Sequence, residues 1–165
     1  MESKRLEGLT LQEIVKAEVY RDRGGAYSEA PDETLCVNDL ITTAGRNYLA
    51  KRINAGDSVA SAMAYMVIGN NTTAPVLGDT LCGSEMLRKA LAIASTIAGN
   101  NVWTAVCTFG GAADTITSKQ IHEAGIFNHA SSGQGTMFQR VTFSTVTLAD
   151  SDLLKITLET NVGSS

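Results

Sequence analysis

"DLLKITLETNV", residues 152–162, decides the fold class. Leu154, Ile156, Leu158 and Val162 alternate with Lys155, Thr157, Glu159 and Asn161. A period of two sends one set to a buried face and the other to a wet face, the mark of a half-buried strand. Further strand candidates lie upstream. "GTMFQRVTFSTVTL" (135–148) and "KQIHEAGIF" (119–127) are two of them, the second with an expected bulge at Ala124-Gly125. "NVWTAVCTFGG" (101–111) puts Trp103, Ala105, Cys107 and Phe109 on one face, opposite Val102, Thr104, Val106 and Thr108. "MLRKALAIASTIAG" (86–99) reads as one strand alternating at Leu87, Leu91, Ile93 and Ile97, joined to the next by hairpin chemistry at Gly99-Asn100-Asn101. "AMAYMVIG" (62–69) is a short apolar run. The last five of these six strand candidates have no helix between them and cannot form βαβ units. They predict a mainly β chain, an antiparallel β-sandwich of jelly-roll-like type with one or two helices near the N-terminus.

The two helices are expected early. In "NDLITTAGRNYLAKRINAGDS", Leu40, Ile41, Ala44, Tyr48, Leu49 and Ile53 recur at helical spacing, giving a helix over 40–54 with Gly56 as its stop. In "GLTLQEIVKAEVYRDRGG", Thr10 and Glu13 match a capping box and Gly24-Gly25 supply a stop. Its stripe of Leu11, Ile14, Val15 and Val19 is narrow and needs a partner surface. The chain thus divides into an N-terminal arm, residues 1–32, and a sandwich domain, residues 33–165. Leu11, Ile14, Val15, Val19, Arg21 and Arg23 are the candidate partner-docking residues of the arm.

Composition narrows the function. With 165 residues, 44% apolar and 18% charged, the chain can bury a core without metal or disulfide staples. A net charge of -4 offers no broad attraction for nucleic acid or an anionic membrane. Cys36, Cys82 and Cys107 lack metal-site spacing and are expected to be buried, reduced thiols. "MESKRLEGLT" shows no apolar signal region, and no window approaches a membrane span, so synthesis in a cytoplasm is expected.

Reactive groups are few. Ser131 and Ser132 beside His129, in "HASSGQG" (129–135), could pair as nucleophile and base, yet there is no GxSxG elbow. Small residues with positive φ available make that segment a tight turn. His122 is expected toward solvent or a neighbour. Glu123 either faces inward, with Arg140 or Arg88 as its partner, or is turned outward by the bulge. Both placements leave it structural. The inventory predicts no enzyme, no cofactor and no metal. Trp103 reads as core, which leaves a glycan-binding module as a distant alternative.

Two blocks of this sequence resemble a pattern of tailed-bacteriophage virion proteins. "LITTAGRNYLAKRI" followed by "AMAYMVIGNNTTAPVLGDTLCGSEMLRKAL" is similar to their Thr-x-Ala-Gly helix start, G-x-x-x-T-A-P segment and G-D-T-x-L-G-x-E-x-x-R segment. "EAGIFN" and "GTMFQR" match their E-x-G-ϕ-F-N and G-T-M-F-x-R hairpin. Cys82 departs from the pattern, which has Leu before the glycine. The resemblance covers about residues 38–162 and implies a β-sandwich serving as a capsid decoration or cement protein, or as a tail, baseplate or fibre-attachment subunit. It also implies the virion as location and the major capsid protein or neighbouring virion proteins as partners. A homo-oligomer is expected, with a trimer favoured because it would match local three-fold points on a capsid. The resemblance carries no active site.

Overall fold

The 152–162 stretch lies in β10 (Leu153–Ser164), the central strand of its sheet, and Leu154, Ile156 and Leu158 are fully buried as their alternation requires. The computed structural model describes residues 9–53, 61–97, 101–116 and 120–164. One sheet has the order β2 (Glu33–Asn38), β1 (Leu9–Tyr20), β10, β7 (Val102–Gly110), β6 (Ile93–Ile97). The other runs β3 (Leu40–Ile41), β9 (Met137–Thr147), β8 (Gln120–Phe127), β4 (Tyr65–Gly69), β5 (Glu85–Ala90). Every pairing is antiparallel. Val15, Phe109, Leu154 and Ile156 of the first sheet share one apolar core with Ile68, Ile121, Ile126 and Val141 of the second. The chain is an antiparallel β-sandwich with a single helix, α1 (Thr43–Ile53), among the described residues.

The expected N-terminal helix is instead strand β1. It lies inside the sheet, paired with β10 from Leu9↔Ser164 to Tyr20↔Leu153 and with β2 on its other side. Glu13, Val15, Ala17 and Val19 point inward at a period of two, and Ile14 is 53% exposed. The helical stripe read from Leu11, Ile14, Val15 and Val19 was a coincidence of spacing. β-Branched residues and a ready partner in β10 override the capping-box match. The division into an arm (1–32) and a sandwich (33–165) therefore fails, because β1 belongs to the core.

Two smaller corrections concern crossings between the sheets. Residues 86–99 do not form one strand. At Leu91 and Ala92 the chain leaves one sheet for the other: the Leu91 N–H donates to Ala64 O, and the Ala92 N–H to Val106 O, both at 2.9 Å. The 40–54 helix begins three residues late, because Leu40 and Ile41 pair with Arg140 and Gln139 as β3. Thr42 caps α1, its Oγ1 accepting the Gly45 N–H at 3.0 Å. A Cβ at Gly45 would collide with the Phe138 carbonyl, so the helix can approach β9 only with glycine there. Gly56, Gly99 and Asn100 lie outside the described residues, although the pairing expected of the hairpin, β6 with β7, is present.

Removing residues 1–20 therefore takes out an inner strand. The shortened chain is expected to lose its cooperative thermal transition in circular dichroism. A preserved transition at the full chain's midpoint would restore β1 to the status of an appendage.

Candidate functional site

Strand β8 places Glu123 inside, fully buried. The bulge that sets its direction lies at His122, where the β8–β9 register shifts, and not at Ala124-Gly125. Arg140 of β9 meets Glu123 through Nε at 2.9 Å and Nη2 at 2.8 Å. Glu123 also accepts the backbone N–H groups of Ser84 at 2.8 Å and Gly83 at 3.0 Å, with Asn71 at 3.4 Å. The other side of Arg140 donates to Asp79 Oδ2 at 2.8 Å and to Thr73 O at 3.1 Å. Asp79 in turn accepts the Val76 N–H at 2.9 Å. This network ties the long 70–84 crossover to the β8–β9 hairpin. Gly69 lies against it, where a Cβ would strike Glu123 and the Ser84 carbonyl.

Arg88, the alternative partner for Glu123, does different work. It pairs with Glu85 at 2.8 Å, stacks 4.1 Å from the Phe127 ring centroid, and donates to the carbonyls of His129 and Gln134 at 2.8 and 3.0 Å. It thereby clasps both sides of the "HASSGQG" turn. In that turn His129 Nδ1 accepts the Ser131 backbone N–H at 3.1 Å, and Gly133 and Gly135 have φ of 70° and 88°. The structure therefore makes the segment a hairpin end. His122 Nδ1 sits 3.4 Å from the Thr145 hydroxyl. Cys82 and Cys107 are buried, and burial raises both thiols above their ordinary range. Cys36, on edge strand β2, is exposed, contrary to expectation.

The residues expected to dock a partner divide between the core, surface ion pairs and solvent. Val15 and Val19 are fully buried in the core. Arg21 donates to Asp152 Oδ2 and Thr147 O, both at 2.6 Å, and pairs with Glu33 at 3.1 Å. Arg23 pairs with Asp32. Of the group, Ile14 alone shows a large apolar side chain to solvent, and the side chain of Leu11 lies outside the described residues.

Two features escaped the sequence. Glu13 of β1, buried, and Asp39 of the β2–β3 crossover, half-buried, form an acidic pair. Burial pushes Glu13 up to about 8; the Asp39 charge adds to the rise, while the Thr160 hydroxyl and Arg46 oppose it. Burial likewise raises Asp39 to about 7, against the hydrogen bond from the Leu40 N–H. Glu13 Oε2 and Asp39 Oδ2 have no hydrogen-bond partner. A proton kept by the pair relieves both. The second feature is an open apolar pocket of about 440 Å³ where β7 and β9 begin, walled by Tyr48, Leu49, Met63, Trp103 and Phe138. Trp103 packs edge-on to Phe138, with ring centroids 5.7 Å apart and planes at 89°.

No protein-family model, curated protein or solved structure matches the chain. Among the described residues, no group of three or more His, Cys, Asp or Glu side chains is placed to hold a metal ion. None of the helices there is long and apolar enough to cross a membrane.

Arg140→Met leaves Glu123 buried without its cation and is expected to cost about 3–5 kcal/mol in urea unfolding. The double variant with Glu123→Gln should lose clearly less than the sum of the single losses, whereas simple additivity would show that the two side chains are not coupled. The acidic pair predicts a pH effect of opposite sign to an ordinary ion pair. Both carboxyls bind protons more tightly in the folded chain than in the unfolded chain. Stability therefore falls as pH rises from the ordinary carboxylate range to about 8, then levels off. Glu13→Gln should flatten that fall by on the order of 2 kcal/mol, measured as urea midpoints at several pH values.

Proposed function

We propose that this chain is a non-enzymatic virion structural protein, a capsid decoration or cement protein that binds the outer shell. The observation that carries the proposal is where the quoted motif residues meet. Gly69, Thr73, Asp79, Gly83, Glu85, Arg88, Glu123 and Arg140 all belong to, or press against, the ion-paired network and the Arg88 clasp. These contacts make the motif residues a scaffold, which favours a structural role. What it supports is a surface: the 70–84 crossover holds Val76, Leu77 and Leu81 out at 58, 45 and 43% exposure. Large apolar side chains on a loop anchored this firmly suit a contact with another protein.

Cement action on that surface would add buried area at many repeated sites of a shell and so stabilise it by mass action. The major capsid protein is the proposed partner, and a trimer is the proposed state because it matches local three-fold points. With β1 inside the sheet, the proposed contact is this loop rather than an arm.

Locating the chain in a cryo-EM reconstruction of its parent particle tests the assignment. Density at symmetry-related points over the shell is the expected result. Density confined to the tail would make the protein a tail, baseplate or fibre-attachment subunit. For the surface, Leu77→Asp with Leu81→Asp is expected to lower particle occupancy about tenfold at an unchanged melting midpoint. Full occupancy by that variant removes the loop from the contact.

A further inference from the structure

We propose that the pocket beside α1 is a docking site for an acidic segment of a partner protein, which seats one large apolar side chain against Trp103. This inference rests on the reading above that the chain binds a protein partner, and it assigns that partner a chemistry.

The pocket itself is apolar. Leu49, Met63, Trp103 and Phe138 line it, and its roughly 440 Å³ falls within the range of about 300–1,000 Å³ of sites that enclose a small ligand. Its walls are held in place before anything binds. The Tyr48 hydroxyl donates to Ser61 O at 3.2 Å and accepts from Arg52 Nε at 2.9 Å, while the Arg52 guanidinium lies 5.3 Å from the Tyr48 ring centroid. A preformed wall spares the ordering cost of binding.

The rim selects the charge of the occupant. Helix α1 reads TAGRNYLAKRI, with three cations and no acid, in a chain whose net charge is -4. Arg46, Lys51 and Arg52 are all exposed. Of these, Arg52 lines the pocket and Lys51 the recess beside it, so the two openings that flank Tyr48 carry positive charge on an acidic protein and attract a segment of opposite sign. A smaller recess of about 250 Å³, lined by Ala44, Asn47, Tyr48, Lys51 and Thr136, lies on the other flank of Tyr48. The path continues to the exposed loop, since the Thr43 N–H at the start of α1 donates to Leu77 O at 2.8 Å. An extended acidic segment lying along α1 would touch the recess and the Leu77 region while anchoring in the pocket.

Trp103 is the only tryptophan of the chain, so the pocket carries its own reporter. The full-length protein is titrated with the capped peptide Asp-Glu-Asp-Leu-Phe-Glu-Asp while Trp103 emission is followed. The controls are the same peptide with Lys and Arg for its acids, and with Gly-Gly for Leu-Phe. The expected result is a saturable blue shift with the acidic peptide alone, weakened about tenfold at half-molar salt. Ala62→Phe, which crowds the mouth from an exposed position, and Lys51→Glu, on the outer face of α1, should each weaken binding about tenfold. Their melting midpoints check that both variants fold, and Lys51→Glu carries the test if Ala62→Phe does not. No Trp103 response up to millimolar peptide overturns the proposal, as does a response that folded variants leave unchanged. The titration contains no particle, so its failure leaves the virion assignment standing, and a chain missing from the particle leaves a positive titration standing.

Discussion

The Glu123–Arg140 pair is the constraint around which one sheet is arranged. A fully buried carboxylate is tolerable only when its charge and its lone pairs are all answered. Here Arg140 answers the charge, and the backbone of Gly83, Ser84 and Asn71 answers the lone pairs. Those backbone donors come from a crossover with no regular structure of its own, so meeting the demands of Glu123 is what gives the crossover its shape. Asp79 then balances the second half of the guanidinium and turns the loop tip. Cys82 of the same crossover packs with Val67, Phe127 and Met137 and anchors the loop with an apolar contact.

How much of this was legible in the sequence depended on whether the deciding partner was local. β10 and β7 could be read directly, because alternation along each strand states which face is buried. The turn at 129–135 was legible from its glycines, although Arg88, which clasps it, was not assignable. β1 is ambiguous because its apolar residues satisfy helical spacing and strand spacing together, and the strand that breaks the tie, from Leu153 to Ser164 at the far end of the sequence, leaves no mark nearby. The break at Leu91-Ala92 was invisible for a related reason: alternation continues through the point where the chain changes sheets. Glu123 could be placed either way until the bulge was located at His122. The pocket could not be anticipated, since α1, residues 62–63, β7 and β9 each contribute a wall.

The acidic pair of Glu13 and Asp39 sits where the first crossing between sheets is made. Asp39 is the single residue between β2 and β3, so the chain changes sheets at a group that prefers to hold a proton. Glu13, one strand over, is the neighbour that makes a second negative charge costly. The crossing is thus most secure in mildly acidic solution. The two halves of the sandwich are held by electrostatics of different kinds.

The β1–β10 ladder also has a mechanical meaning. Leu9 faces Ser164 at one end and Tyr20 faces Leu153 at the other. Tension applied between residues 9 and 164 would load the ladder one rung at a time, peeling the strands apart like a zipper. Tension entering through the 70–84 crossover meets backbone donors and an arginine gathered on one carboxylate, which must yield together. The sandwich is therefore weak when pulled by its terminal strands and strong when pulled by the loop that faces outward.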